Sequence, residues 1–127
     1  MNWRWIDKRA LLLLHEESLA EHGGAPGVRD EGLLESALSR PVNRLAYAEP
    51  DVAALAARYG VGVAKNHPFV DGNKRVAFLC VGLFLAINGY RLKASQVEAT
   101  SAMLAIAAGE LDEVAFAEWL RRHLVER

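Results

Sequence analysis

His67-Pro68-Phe69-Val70-Asp71-Gly72-Asn73-Lys74-Arg75, feeding directly into the apolar stretch Val76 to Ile87, is the part of the chain from which the rest is read. The apolar stretch is uncharged but falls short of the roughly 20 residues a membrane span needs, and it predicts a helix buried on all sides. Asn88-Gly89 closes that helix, because Gly and Asn reach the left-handed conformation that satisfies the last carbonyls cheaply. Its beginning bears on function. The first turn of a helix carries unpaired N–H groups and the positive end of the dipole, so a glycine-containing turn at Gly72-Asn73 is suited to holding phosphate with its main chain.

The side chains around this turn supply complementary chemistry. Lys74 and Arg75 place positive charge where it opposes the helix dipole, which an anionic partner would explain. Lys65, a little upstream, is a further candidate phosphate contact. Asp71 is suited either to a magnesium ion or to capping the helix through the N–H of Asn73 or Lys74. His67 is the one side chain here whose unperturbed pKa, about 6.5, lets it accept a proton near neutral pH. His67 and Asp71 stand four residues apart, but Pro68 intervenes and no third ligand is near, which argues against zinc. A base, a metal-holding carboxylate, an anion cradle and cations are the parts of phosphoryl or nucleotidyl transfer to a hydroxyl.

His-Pro-Phe-x-Asp-Gly-Asn-Lys-Arg resembles the signature of the Fic/Doc family, and most resembles its Doc (death-on-curing) branch, the toxins of bacterial toxin–antitoxin pairs. Gly23-Gly24-Ala25-Pro26-Gly27-Val28-Arg29-Asp30, Gly32-Leu33-Leu34-Glu35, Arg40 and Tyr47 extend the likeness over most of the chain. The resemblance implies an all-α, compact single-domain helical bundle over residues 1–127, built around a buried central helix. It implies His67 as catalytic base, Asp71 as the metal position, and Gly72, Asn73, Lys74 and Arg75 as the site for ATP, with Mg2+ as cofactor. Fic enzymes that transfer AMP carry a glycine where this chain has Lys74 and an arginine where it has Phe78. Both departures favour kinase chemistry of the Doc type, whereas Gly72 is the Fic choice and Leu79 replaces a polar residue of the Doc type.

The function implied is an ATP-dependent protein kinase that phosphorylates a hydroxyl on elongation factor Tu and arrests translation. AMP transfer to protein hydroxyls and a non-enzymatic binding module are the alternatives. The implied partner is a Phd-like, partly disordered antitoxin that folds over the active-site groove. Many Fic proteins restrain themselves through Ser/Thr-x-x-x-Glu, but no serine or threonine here is followed four residues later by glutamate.

Composition bounds these readings. A chain of 127 residues, 52% hydrophobic and 24% charged, suits one compact domain. A formal charge of -1 gives no basic excess for direct nucleic-acid binding. The single Cys80 has no disulfide partner, and no signal peptide or membrane segment is read, so a cytoplasmic location is expected.

The remaining punctuation predicts helices. Asp7 caps a first helix to about His22, with His15 and His22 as surface or packing residues, before a Gly23–Gly27 connector. Asp30 caps a second helix through Leu38; the family resemblance implies that the segment after Arg40 to about Glu49, bracketed by Pro41 and Pro50, is the flap that holds target backbone, and a plain surface loop is the alternative. Asp51 caps a third helix over 52–65, whose Gly60 and Gly62 permit close helix contact. Tyr90 to Ala94 forms a short, partly extended connection. Ser95 and Glu98 make a capping box for a helix to Ala108, and Asp112 caps the last one.

Overall fold

The computed structural model describes residues 2–44 and 50–127, so Tyr47 and most of the expected flap lie outside the described residues. The described chain is mostly helical, in the order α1 (Lys8–His22), α2 (Glu31–Arg44), α3 (Val52–Asn66), α4 (Asn73–Ile87), β1 (Tyr90–Leu92), α5 (Gln96–Ala107), α6 (Glu113–His123) and β2 (Leu124–Glu126). This is the all-α architecture expected, with one small antiparallel strand pair in which Arg91 faces Val125.

The helix starts follow from side chains that satisfy orphan N–H groups. Asp7, Asp51 and Asp112 each accept from the N–H three residues on, all at 2.8 Å. Asp30 accepts from Leu33 at 2.9 Å. Ser95 and Glu98 form the reciprocal capping box. Gly23 and Gly109, both at positive φ, follow α1 and α5 as stop signals.

Two expectations are corrected. The second helix does not stop at Leu38 but runs through Pro41 to Arg44. An internal proline forfeits a helical hydrogen bond and costs about 3 kcal/mol. Pro41 is buried at the α2–α3 interface region, and packing compensates: α2 lies along α3, and Arg58 of α3 donates through Nε to the Arg40 carbonyl at 3.2 Å. The Arg58 and Arg40 guanidinium groups also grip the two Glu113 oxygens, each at 2.9 Å, which ties α2 and α3 to α6.

The second correction concerns the centre. Helix α4 is not buried on all sides: Leu79 is 37% exposed, and a methyl group added at Gly82 would meet nothing within 4 Å. The more deeply enclosed element is α3, which packs against α2, α4, α5 and α6. Apolar composition favoured α4, but small size decides. Ala53, Ala56, Ala57, Gly60 and Ala64 let neighbours approach α3 from several directions. A Cβ at Gly60 would lie 2.7 Å from Val81 Cγ2 and 3.0 Å from the Phe116 ring, so the expected close approach is present.

The core gathers Tyr59, Phe69, Phe84 and Phe116 with Leu34, Leu55, Leu85 and Leu120. Cys80 sits inside it, and burial pushes its thiol up to about 12, so it is inert at neutral pH. Trp5 stacks on Phe84, and the Tyr59 hydroxyl accepts from the Ile6 N–H at 3.1 Å, which fastens the segment ahead of α1. No helix among the described residues is long and apolar enough to cross a membrane.

Candidate active site

The loop from His67 to Gly72 joins the C-terminus of α3 to the N-terminus of α4, the two helices that pack most closely. Pro68 ends α3, and His67 becomes its C-cap in the left-handed region at φ 50. His67 is exposed, and among the described residues its imidazole has no hydrogen-bond partner. Its ring nitrogens are therefore open to a group from outside the chain.

The loop is held by a second segment remote in sequence. Val28 forms an isolated antiparallel bridge with Phe69, and Val70 donates to the Gly27 carbonyl at 3.0 Å. The N–H groups of Arg29 and Asp30 both donate to the Pro68 carbonyl, at 2.7 and 3.1 Å. Arg29 also sends Nε to the His67 carbonyl at 2.6 Å and Nη2 to the Asn66 carbonyl at 2.8 Å. The Gly23–Gly27 stretch thus connects helices as expected, and its continuation also pairs with the loop from His67 to Gly72. Gly27, at φ 108, adopts a conformation a side chain would resist.

Inside the loop, Phe69 is a core plug. It stacks on His15 with ring centroids 3.8 Å apart, and His15 donates through Nε2 to the Asp71 carbonyl at 2.8 Å. His15 is accordingly a buried packing residue. Asn73 is 8% exposed and spends its side chain on Phe69: Nδ2 donates to the Phe69 carbonyl and Oδ1 accepts its N–H, both at 3.0 Å. Any contact of Asn73 with a phosphate would therefore use its main chain.

Asp71 does not cap α4. The N-cap is Gly72, at φ 76 with no side-chain cap bond, so this glycine follows from backbone conformation. The Asp71 carboxylate instead accepts from the Gly72 N–H through Oδ1 at 2.9 Å and from the Ala25 N–H through Oδ2 at 3.2 Å. A Cβ at Gly24 would come within 2.9 Å of Oδ2, so that glycine makes room for the carboxylate.

The turn that opens α4 is left without internal partners. Among the described residues, the N–H groups of Asn73, Lys74 and Arg75 have no acceptor, and Val76 is the first to donate back, to Gly72, at 3.0 Å. Lys74, Arg75 and Lys65 are exposed and form no ion pair among the described residues. Three free N–H groups, the helix dipole and nearby cations suit an anion.

A divalent ion also fits the donors present. Asp71 is exposed and keeps unused lone pairs on both oxygens. Among the described residues no three His, Cys, Asp or Glu side chains gather into a closed metal cage. Magnesium does not require one, since it is commonly held by one or two carboxylates plus phosphate oxygens and water.

The chain has relatives among known proteins. The chain is 36% identical over 120 residues, 94% of each sequence, to the protein kinase doc of Escherichia phage P1. It is 43% identical over 74 residues, 57% of each, to the toxin Doc of Mycolicibacterium smegmatis. The sequence profile of the Fic/DOC family matches residues 5–85, which include the whole of the loop and the turn it feeds. On this match and the full-length likeness, the chain belongs to the Fic/DOC family.

Proposed function

We propose that the protein is the toxin of a toxin–antitoxin pair and acts as an ATP-dependent kinase on a protein hydroxyl. The observation that carries the reading is the juxtaposition, on one loop and one helical turn, of an unpartnered exposed imidazole with an uncapped helix N-terminus flanked by cations. The relatives named protein kinase doc and toxin Doc support both halves of the proposal.

In this reading His67 removes the proton from the target hydroxyl, and the oxygen forms a bond to the γ-phosphorus as the bond to ADP breaks. The N–H groups of Asn73, Lys74 and Arg75 hold phosphate oxygens. The cations of Lys74, Arg75 and Lys65 offset the charge. Asp71 holds magnesium, which when bound neutralises phosphate charge. The target proposed is a translation factor, elongation factor Tu, with translation arrest as the outcome. A Phd-like antitoxin restrains the enzyme in the cytoplasm.

Transfer of AMP draws less support. The glycine that prompts it, Gly72, is accounted for by its positive φ.

The test compares ATP labelled on the γ-phosphate with ATP labelled on the α-phosphate, using purified protein, magnesium and elongation factor Tu. His67→Ala serves as the control. Label reaching protein only from the γ position, and lost by at least about 100-fold in His67→Ala, is the expected result. Label from the α position would replace the kinase reading with AMP transfer. No His67-dependent label on elongation factor Tu or in a bacterial extract would favour a binding module.

A further inference from the structure

We infer that Arg29 is a positioning residue for His67, holding the base in its left-handed conformation by gripping the carbonyls on either side of it. The inference rests on His67 being the base of the reaction proposed above. His67 is the only non-glycine residue at positive φ among those described. Such a conformation is unfavourable for a residue with a Cβ and persists only where the surroundings enforce it. The imidazole has no partner among the described residues, so nothing attached to the ring does the enforcing. The backbone must, and the carbonyls of Asn66 and His67 both take their donors from the Arg29 side chain.

Arg29 occupies three consecutive carbonyls. Its guanidinium takes those of Asn66 and His67 at 2.8 and 2.6 Å, and its own N–H takes that of Pro68 at 2.7 Å. The first two belong to the end of α3, where the last carbonyls lack intrahelical donors. A glycine commonly makes such an end comfortable, but at this position a histidine is needed for chemistry. The planar fork of arginine replaces what glycine would have provided. It supplies two parallel N–H donors and places positive charge at the negative pole of α3. Arg29 is exposed and makes no ion pair among the described residues, so no carboxylate competes for it.

The phosphate-binding turn has an anchor of its own, His15 on the Asp71 carbonyl. Loss of the clamp should therefore displace the base without disturbing nucleotide binding. A residue that merely stabilised the fold would lower the melting temperature and leave turnover alone.

The experiment uses the full chain with γ-labelled ATP, magnesium and elongation factor Tu, and isotope-labelled protein for NMR. In Arg29→Ala, kcat is expected to fall about 10–100-fold, as for a misplaced reacting group. KM for ATP should stay within about two-fold of wild type, because the anion turn is untouched. The His67 Cα and Cβ shifts should leave the left-handed range. Arg29→Lys keeps the charge but cannot span both carbonyls, so it should reproduce most of the kcat loss, and it decides the matter if Arg29→Ala does not fold.

Wild-type kcat in a folded Arg29→Ala or Arg29→Lys would overturn the inference and leave the kinase reading standing. If wild type transfers no label, the kinase reading fails and the NMR arm still decides the clamp. Unchanged His67 shifts in the variants overturn it; altered shifts support it.

Discussion

Replacing Asn73 by alanine would remove both hydrogen bonds that brace the Phe69 peptide. Phe69 is buried, so its N–H and C=O would lose their partners in a place water reaches poorly. Each orphaned group costs about 1–3 kcal/mol, and with partial relaxation the pair should cost about 2–4 kcal/mol. For a chain of this length each kcal/mol moves the melting temperature by about 4 °C, so a fall of about 8–16 °C is expected. Asn73→Asp separates the two bonds. One carboxylate oxygen can still accept from the Phe69 N–H, but the other faces the Phe69 carbonyl, where a donor stood. The folded protein would then favour the protonated acid, so this variant should recover stability relative to wild type as pH falls. Calorimetry across pH, with steady-state kinetics alongside, is the assay. Both variants should lose kcat more than affinity for ATP, because the loop that carries His67 loosens. An Asn73→Ala protein melting within about 2 °C of wild type, below the effect of even one lost buried bond, would refute the reasoning. A rise confined to KM would place the side chain against the nucleotide.

The same glycine-to-alanine change should have opposite signs at two positions. Gly60→Ala drives a methyl into Val81 and Phe116, and overpacking of about 1–3 kcal/mol should exceed the gain in helix propensity. Gly82→Ala meets open space and should stabilise by about 0.5–1 kcal/mol. Urea titrations of the two variants check both signs, and equal effects would contradict the close contact of α3 with α4. Asp51 caps α3 and receives Arg121 at 2.6 and 3.0 Å, and this arginine holds its carboxyl below the usual range. Asp51→Asn keeps a good cap and loses the ion pair. The pair's contribution is present above the ordinary carboxylate range and lost as pH falls through the depressed value. The wild-type advantage in melting temperature should therefore be modest at pH 7 and vanish on the far acid side of pH 4.

Legibility in the sequence followed the range of the interactions. Asp7, Asp30, Asp51, Ser95 and Asp112 announce helix starts because a cap reaches only three residues, and such a spacing is visible in a string. The motif was visible for the same reason, since His67 to Arg75 is continuous. The bracing of the loop was not. Arg29 and Ala25 meet it across about 40 residues of chain, and in each bond at least one partner is a backbone atom that any residue type possesses. Asn73 showed that a polar side chain inside a motif can be spent on bracing the loop. The place of α3 was hidden because alanine and glycine carry little hydrophobic signal while allowing the closest packing. Pro41 misled for the converse reason: a strong local rule yielded to contacts with Arg58 and α3. Strand β2 offered no alternation long enough to read, and it exists because β1 lies beside it.

The turn Asn88-Gly89, at the end of α4 remote from the loop, is also where both outer segments of the chain converge. Asn88 exchanges hydrogen bonds with the Arg4 backbone, while Arg127 donates its N–H to the Gly89 carbonyl and Nη1 to that of Ala86. Fifteen residues of helix put this junction about 20 Å from the turn at Asn73. A dye, bead or fused protein attached near Arg4 or Arg127 would hang from the pole opposite the loop from His67 to Gly72. Single-molecule and surface-capture work through either position should therefore leave the proposed site open.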